Sequence, residues 1–460
     1  MNSQVEITVV SLGPDDAGLL TLGALETMAG APALVLRTSR HRAAALLERK
    51  EIAFDTLDAL YERSEDFDEL CALAVRELTA RAQEKGALCY AVSDPASDAT
   101  VRALAGALPE GMRLRVCGGV SLAQSAACAA LPFGVNTENL RTVTALSAQE
   151  LRVQADCPLA VTEIDNRCLA SDVKLWLGDL YDDETRVVFL ENAAEPFAAA
   201  REIPLCELDR QPRYDHRTAV VVPAVSVYER SRASYEDFVQ VIARLRAPGG
   251  CPWDRAQTHH SLRQYMIEEA CEAAEVMDGD DPMRLADELG DVLLQVVLNS
   301  QIGAEHRDFT DRDVTSLAAR KMISRHAHVF GRERAESAQE VAPVWEQAKR
   351  RERGEQTPLE RAREVPGTLP ALMRAQKVAK RLADGEIDAQ AALDKAQDAL
   401  SRIAQGQRGE ADVGALLEAC AGLAQALGVD AETALRARTA RRLEGPGSEQ
   451  KNRTKNLCSD

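Results

Sequence analysis

The sequence predicts a multidomain protein, an N-terminal α/β region followed by an all-α region, and three observations predict it. The chain has 460 residues, whereas one ordinary core holds about 100 to 200, so two or three domains are expected. From Val5 to about Pro223 short apolar runs alternate with amphipathic stretches, the pattern of a mostly parallel sheet covered by helices. Beyond that point helical spacing takes over, and acidic residues recur three and four positions apart between Glu268 and Asp291.

Composition narrows the class. Hydrophobic residues make up 45% of the chain but aromatics only 4%, so alanine-rich and aliphatic helices must build much of the core. A formal charge of -18 speaks against a general nucleic-acid binder or a protein of anionic membranes. An enzyme for anionic nucleotides can carry that charge if metal ions and a local basic cluster offset it. The 11 cysteines are scattered, with neither a CxxC pair nor zinc-ligand spacing, which suits reduced thiols. The start, MNSQVEITVVSLG, has no basic segment before an apolar one, and no run approaches the ~18 apolar residues of a membrane span. The expectation is a cytoplasmic protein.

In chain order, strands are expected at Val5 to Val10, Ala33 to Leu36, Ala87 to Val92, Leu114 to Cys117, Leu159 to Thr162, Arg186 to Leu190 and Val220 to Val222. Several end in turns that face a ligand crevice in open α/β sheets: Gly13-Pro14-Asp15-Asp16, Ser93-Asp94-Pro95 and Gly118-Gly119. The α/β domain is placed at 1–223, and 224–234, with Pro223 at its start, reads as a short ordered linker.

The helical region opens at Tyr235 and breaks at Ala247-Pro248-Gly249-Gly250. Trp253 and Asp254 follow the break. Glu268, Glu269, Glu272 and Glu275 then fall within two turns of one helix, and Glu288 and Asp291 share a face of the next. Converging carboxylates repel one another unless a cation sits among them, and the natural filler is a hard ion such as Mg²⁺, with Mn²⁺ as the alternative. The apolar flanks Ile267, Ala273, Met277, Leu289, Leu293 and Val297 predict that both helices are packed. His259 and His260 have no third ligand at metal spacing. Lys321 and Arg325 lie four apart on one helical face, a solvated stripe or a phosphate contact.

The pattern Glu268-Glu269-x-x-Glu272, a spacer, then Glu288-x-x-Asp291 resembles the signature of MazG-type nucleoside triphosphate pyrophosphohydrolases. GGCPWDRAQTHHSLRQYMIEEA upstream and KMISRHAHVFG and VWEQAKRRE downstream are similar to that family too. The resemblance implies Mg²⁺-dependent hydrolysis of nucleoside triphosphates to a monophosphate and pyrophosphate. Glu269, Glu272, Glu288 and Asp291 would hold metal, and Glu268 would orient the water or simply face solvent. Lys321, Arg325, Trp345 and Lys349 match its nucleotide-contact positions, and Trp253 and Asp254 border its pocket. It also implies a homodimer. The competent domain is placed at 235–355 and a second, degenerate copy at 360–444, where Ala396, Ala399, Asp412 and Ala415 stand for the four acids. The tail, 445–460, is expected to be disordered.

SLGPDDAGLLTLGAL, AVSDPASD and CGGVSLAQSAAC resemble the loops of the tetrapyrrole methylase family, two-lobed α/β proteins that bind S-adenosylmethionine. The resemblance makes Gly13, Pro14, Asp94, Pro95, Gly118 and Gly119 candidate cofactor-loop residues. This chain departs from the family at Ser11, Asp15 and Ser93, where glycine is usual and permits positive φ and close backbone approach. Fusion of the two kinds of domain is similar to the YabN-type arrangement. A methyltransferase with an accessory helical part and a non-enzymatic regulator remain the alternative readings.

Overall fold

The computed structural model describes residues 5–444, apart from Glu62, Pro196, Asp278, residues 384–386 and short stretches between 332 and 355. The expected disorder of 445–460 lies outside the described residues. The chain forms two compact units, Met1–Asp311 and Arg312–Asp460.

The first unit opens with a five-stranded sheet of β1 (Val5–Ser11), β2 (Leu34–Leu36), β3 (Asp55–Thr56), β4 (Ala87–Val92) and β5 (Met112–Cys117), ordered β3-β2-β4-β1-β5. Every pairing in it is parallel, so crossover helices must cover both faces. They do, with the period of two that a strand imposes. Leu88, Tyr90 and Val92 meet α3 (Phe67–Lys85) and α4 (Ala99–Gly106), while Cys89 and Ala91 meet α1 (Leu22–Ala29) and α2 (Ala43–Arg49).

A second sheet joins β6 (Arg141–Thr144), β7 (Leu159–Thr162), β8 (Arg186–Leu190), β9 (Ala200–Pro204) and β10 (Ala219–Val222) in the order β6-β7-β10-β8-β9. The expected mostly parallel pattern fails here. Only β6 and β7 run parallel, and β10 and β9 pair antiparallel with their neighbours. The strands that pattern reading missed, β3, β6 and β9, are all sheet edges, short and rich in exposed polar residues, so they carry no apolar run. Helices α5 (Leu122–Ala130) and α6 (Arg167–Leu177) pack against this sheet through Ala126 and Ala130, and through Ala170, Val173 and Leu177.

Residues 224–234 lie within the first unit and are held by side-chain contacts. Arg230, almost wholly buried, ion-pairs with Asp237 at 2.6 Å and donates to the carbonyls of Val225 and Arg232. Asp237 in turn closes a capping box with Ser234, which starts α7 (Tyr235–Arg246). After α8 (Pro252–Ala256) come α9 (Arg263–Val276) and α10 (Pro282–His306). Asp281 caps α10 by accepting from the amides of Met283 and Arg284, and Pro282 supplies the first helical φ. Ile242, Leu262, Val297, Leu298 and Ile302 form the core between these helices. Their packing is one-sided. Ala273 and Val297 are buried, but Ile267 is 45% exposed, Met277 58%, Leu289 44% and Leu293 38%, against the expectation that the flanks of the acidic motif are covered.

In the second unit α11 (Asp311–Arg325), which begins at the division, is followed by α12 (Pro358–Arg363), α13 (Ala371–Ala383), α14 (Ala389–Ala404), α15 (Glu410–Ala426) and α16 (Ala431–Glu444). Alanine carries the contacts, with Ala392, Ala399 and Ala421 buried. The buried Gln376 clamps the α15–α16 turn, donating to the Val429 carbonyl and accepting from the Ala431 amide at 2.8 Å each. Among the described residues no single helix is long and apolar enough to cross a membrane.

Candidate functional site

Helical periodicity and the short connection between α9 and α10 bring their acids together. One carboxylate oxygen from each of Glu269, Glu272 and Glu288 lies within 4.8 Å of the others. Glu269 and Glu288 are half-buried and Glu272 is exposed. The Glu269 carboxyl is pushed above the usual carboxylate range, by loss of water and then by the negative charges of Asp291, Glu272, Glu268 and Glu288. Asp291 thus acts on Glu269 electrostatically although it stands outside the tight triplet, and Glu268 faces solvent. Arg284, one turn before Glu288, offsets part of the charge at 3.9 Å. A crowded set of oxygen donors with a carboxyl pushed towards its neutral form is what a hard divalent cation relieves, so these residues fit Mg²⁺.

Upstream of the acids, Trp253 on α8 is exposed, and its ring meets Tyr265 edge-on at 6.2 Å and 71°. Tyr265 precedes Glu269 by four residues, so both lie on one face of α9. Asp254 is half-buried in the first turn of α8. His259 is a structural group: Nδ1 bonds Asn299 Oδ1 at 2.7 Å, and the ring stacks on Phe309.

In the second unit the remaining expected nucleotide contacts cluster around one indole. The Arg325 guanidinium lies 5.6 Å and Lys349 Nζ 5.5 Å from the Trp345 ring centre. His326 meets the same ring edge-on at 4.9 Å. Arg325 also pairs with Glu352 at 2.7 Å, and it holds the Glu352 carboxyl below the usual range together with the Ser324 hydroxyl, which donates at 2.6 Å, and then the charge of Lys321. The motif spacing gave no hint of Glu352, because its partner lies 27 residues away.

The six loop residues of the N-terminal region surround the carboxyl ends of β1, β4 and β5. Pro14 and Asp94 line a cleft of about 580 Å³, together with Ser121, Thr144, Glu163 and His216. Gly13 (φ +82), Pro95, Gly118 and Gly119 shape the loops without lining that cleft. Ser11 stands between them: its Oγ donates to the Ser93 carbonyl at 2.8 Å and accepts from the Gly13 amide at 3.1 Å. Asp15 adopts φ 132, a backbone region ordinarily left to glycine, and is buried. Its carboxylate ion-pairs with Arg217 at 3.3 Å and Arg42 at 3.7 Å, tying the loop after β1 to the segment before β10. Sequence patterns missed Glu163, Arg217 and His216. Glu163, at φ 61 just past β7, has its carboxyl pushed up by burial, then by Asp165 and Asp94.

Comparison with known proteins places both regions. The family model for tetrapyrrole (corrin/porphyrin) methylases matches residues 6–209, and that for the MazG nucleotide pyrophosphohydrolase domain matches residues 257–330. The chain is 34% identical over 386 residues to the uncharacterized protein YabN of Bacillus subtilis, covering 82% of this chain and 76% of that one. It is 36% identical to the nucleoside triphosphate pyrophosphohydrolase/pyrophosphatase MazG of Thermotoga maritima, over 46% of this chain and 83% of the relative. It is also 36% identical to the nucleoside triphosphate pyrophosphohydrolase of Escherichia coli, over 42% of this chain and 79% of the relative. With both domains matched in this order, the chain belongs to the YabN-like family, in which a tetrapyrrole methylase domain precedes a MazG domain.

Proposed function

We propose that the protein hydrolyses nucleoside triphosphates to a nucleoside monophosphate and pyrophosphate in the presence of Mg²⁺, with a housekeeping role in the nucleotide pool. The observation that carries this reading is the convergence of Glu269, Glu272 and Glu288 within 4.8 Å, with Asp291 acting on the same group. Glu269, Glu272, Glu288 and Asp291 hold the metal, and Glu268, one residue away and facing water, orients the attacking water molecule. Bound Mg²⁺ supplies charge neutralisation at the phosphates and a more acidic water. In the second unit Lys321, Arg325 and Lys349 are the cations, and Trp345 the flat ring, that we assign to nucleotide contact from the family resemblance. No covalent nucleophile is needed.

Release of pyrophosphate rather than orthophosphate from nucleoside triphosphates with Mg²⁺ tests the reading. It is expected in the wild type and in Asp412→Ala, and lost in Glu269→Ala and Asp291→Ala. Orthophosphate as product, or full activity in the acid variants, overturns it.

The exposed apolar flank of the site, Ile267, Met277, Leu289 and Leu293, supports a homodimer in which a second copy covers α9 and α10. A monomeric mass in sedimentation equilibrium removes that part of the proposal.

A second reading attaches to the N-terminal cleft, whose 580 Å³ suits a nucleoside-sized ligand. S-adenosylmethionine, when bound, supplies a transferable methyl group. Asp94, Glu163, Ser121 and Thr144 are the side chains that would hold it, the two acids suiting its sulfonium and ammonium charges. Calorimetry of S-adenosylmethionine with the full chain tests it, and an absence of binding heat ends it.

A further inference from the structure

The motif segment before the acidic helices depends on a residue that no spacing argument singles out. Arg246, the last residue of α7, is buried, its side chain 5% exposed. Its Nε and Nη2 each donate to one carboxylate oxygen of Glu305 at 2.8 Å. Nη1 donates to the main-chain carbonyls of Asp254 and, at 3.3 Å, Gln257. The Gln257 carbonyl lies just past the C-terminal end of α8, and the Asp254 carbonyl, which already accepts from the Gln257 amide at 3.2 Å, takes a second donor here. One guanidinium fork therefore caps α8 and fastens it to α10, the helix that carries Glu288 and Asp291.

The local sequence builds this geometry. Gly249 takes φ +81, and the chain folds back on α7, the Cys251 amide donating to the Leu245 carbonyl at 2.7 Å. A Cβ on Gly250 would collide with the carbonyl of Leu245 and lie 2.6 Å from that of Arg244. With the turn so tight, α8 begins beside the residue that must hold its other end. On α8, Trp253 is 55% exposed and meets the 38% exposed Tyr265 in an aromatic corner. Tyr265 stands one helical turn, about 6 Å along α9, from Glu269.

We propose that Arg246 is a positioning residue of the nucleotide site. Locked to Glu305, it holds α8 so that Trp253 and Tyr265 present a stacking corner for the nucleobase at one turn from the metal-binding carboxylates. The assignment rests on the hydrolase reading for the chemistry but concerns substrate affinity. An aromatic face attracts every base, so the corner contributes binding more than base choice. Charge alone is insufficient here, because lysine offers a point charge where arginine spans two oxygens and two carbonyls.

The test is a double-mutant cycle on the full chain with Arg246→Lys, Trp253→Ala and the double variant. Each is assayed for pyrophosphate release with Mg²⁺ and for calorimetric binding of an α,β-methylene nucleoside triphosphate with Mg²⁺. Each single change is expected to raise KM and the analogue's Kd about ten-fold with kcat held within about two-fold, and the double variant to be no weaker than Trp253→Ala alone. Glu305→Gln, which keeps the shape but weakens the clamp, is expected to move KM in the same direction and by less. Additive losses, an unchanged KM, or a fall in kcat and melting temperature at constant KM would make Arg246 a structural residue only. A wild type that binds the analogue yet releases no pyrophosphate defeats the hydrolase reading instead, leaving the binding cycle to decide this one.

Discussion

Ser11 and Gly119 form a single packing unit: a Cβ built on Gly119 would lie 2.6 Å from both Cβ and Oγ of Ser11. Ser11 stands where the resemblance to the methylases leads one to expect glycine, and its hydroxyl joins the turns after β1 and β4. The space a glycine would have left at position 11 is filled, and the glycine at 119 is what allows it. Gly119→Ala is therefore expected to cost about 1 to 3 kcal/mol by overpacking. Ser11→Gly in the same chain should recover part of that loss, because the clash partner is gone. Urea denaturation of the two single variants and the double variant checks this, and equal losses in Gly119→Ala and the double variant refute it.

Asp15 sets a second contest, between a strained backbone and two ion pairs. Holding φ 132 without glycine costs about 1 to 3 kcal/mol, and the bonds to Arg217 and Arg42 offset it. Asp15→Ala keeps the strain and loses the bonds, whereas Asp15→Gly loses both. The glycine variant should melt above the alanine variant in differential scanning fluorimetry; the reverse order would mean the backbone there is unstrained.

His41 supplies a pH dependence. It is buried, with Nε2 bonded to the Gly13 carbonyl at 3.1 Å and Nδ1 accepting from the Ala43 amide at 3.1 Å. Burial pushes its pKa below the ordinary 6.5; the Gly13 carbonyl and Asp15 pull the other way, while the neighbouring His216 adds a smaller lowering. The unfolded chain thus binds the proton more readily than the folded one. Stability is full above the unfolded pKa and is lost as pH falls through 6.5 towards the folded value. His41→Gln should flatten that part of the profile between about pH 7 and about pH 5. Chemical denaturation at several pH values would show it, and parallel profiles would reject it.

The acids of α9 and α10 predict a different outcome from the acid of α15. Glu269→Gln or Glu288→Gln should lower kcat for pyrophosphate release at least about 100-fold while leaving the melting temperature of the metal-free protein unchanged or higher, since crowded negative charge is removed. Asp412→Ala should do the opposite. Its carboxylate accepts from the Gly409 amide at 3.0 Å at the start of α15, so its loss costs about 1 kcal/mol of stability and no activity.

Much of this was legible in the sequence where physics is local. The helix opening at Tyr235, the parallel core strands β1, β2 and β4, and the convergence of Glu269, Glu272 and Glu288 follow from apolar runs and a 3.6-residue period. What stayed hidden is non-local. Arg217 reaches Asp15 across 202 positions and Arg246 reaches Glu305 across 59, and no pattern at short range announces either pair. Edge strands such as β6 and β9 escaped for another reason, since two of the four residues of β6 and two of the five of β9 face water and no apolar run remains to be counted. Exposure of Ile267 and Leu289 was likewise invisible, because periodicity marks a greasy stripe without saying whether the same subunit covers it.

Asp412 serves its own helix. Its carboxylate pins the opening turn of α15 by accepting from the Gly409 amide. We propose that 360–444 is a second, degenerate copy of the acidic helical domain, in which Ala396, Ala399 and Ala415 stand for three of the four acids. On that proposal, glutamates placed at those three alanines would not rebuild a four-oxygen cradle, because the fourth acid would have to abandon the helix start that it secures.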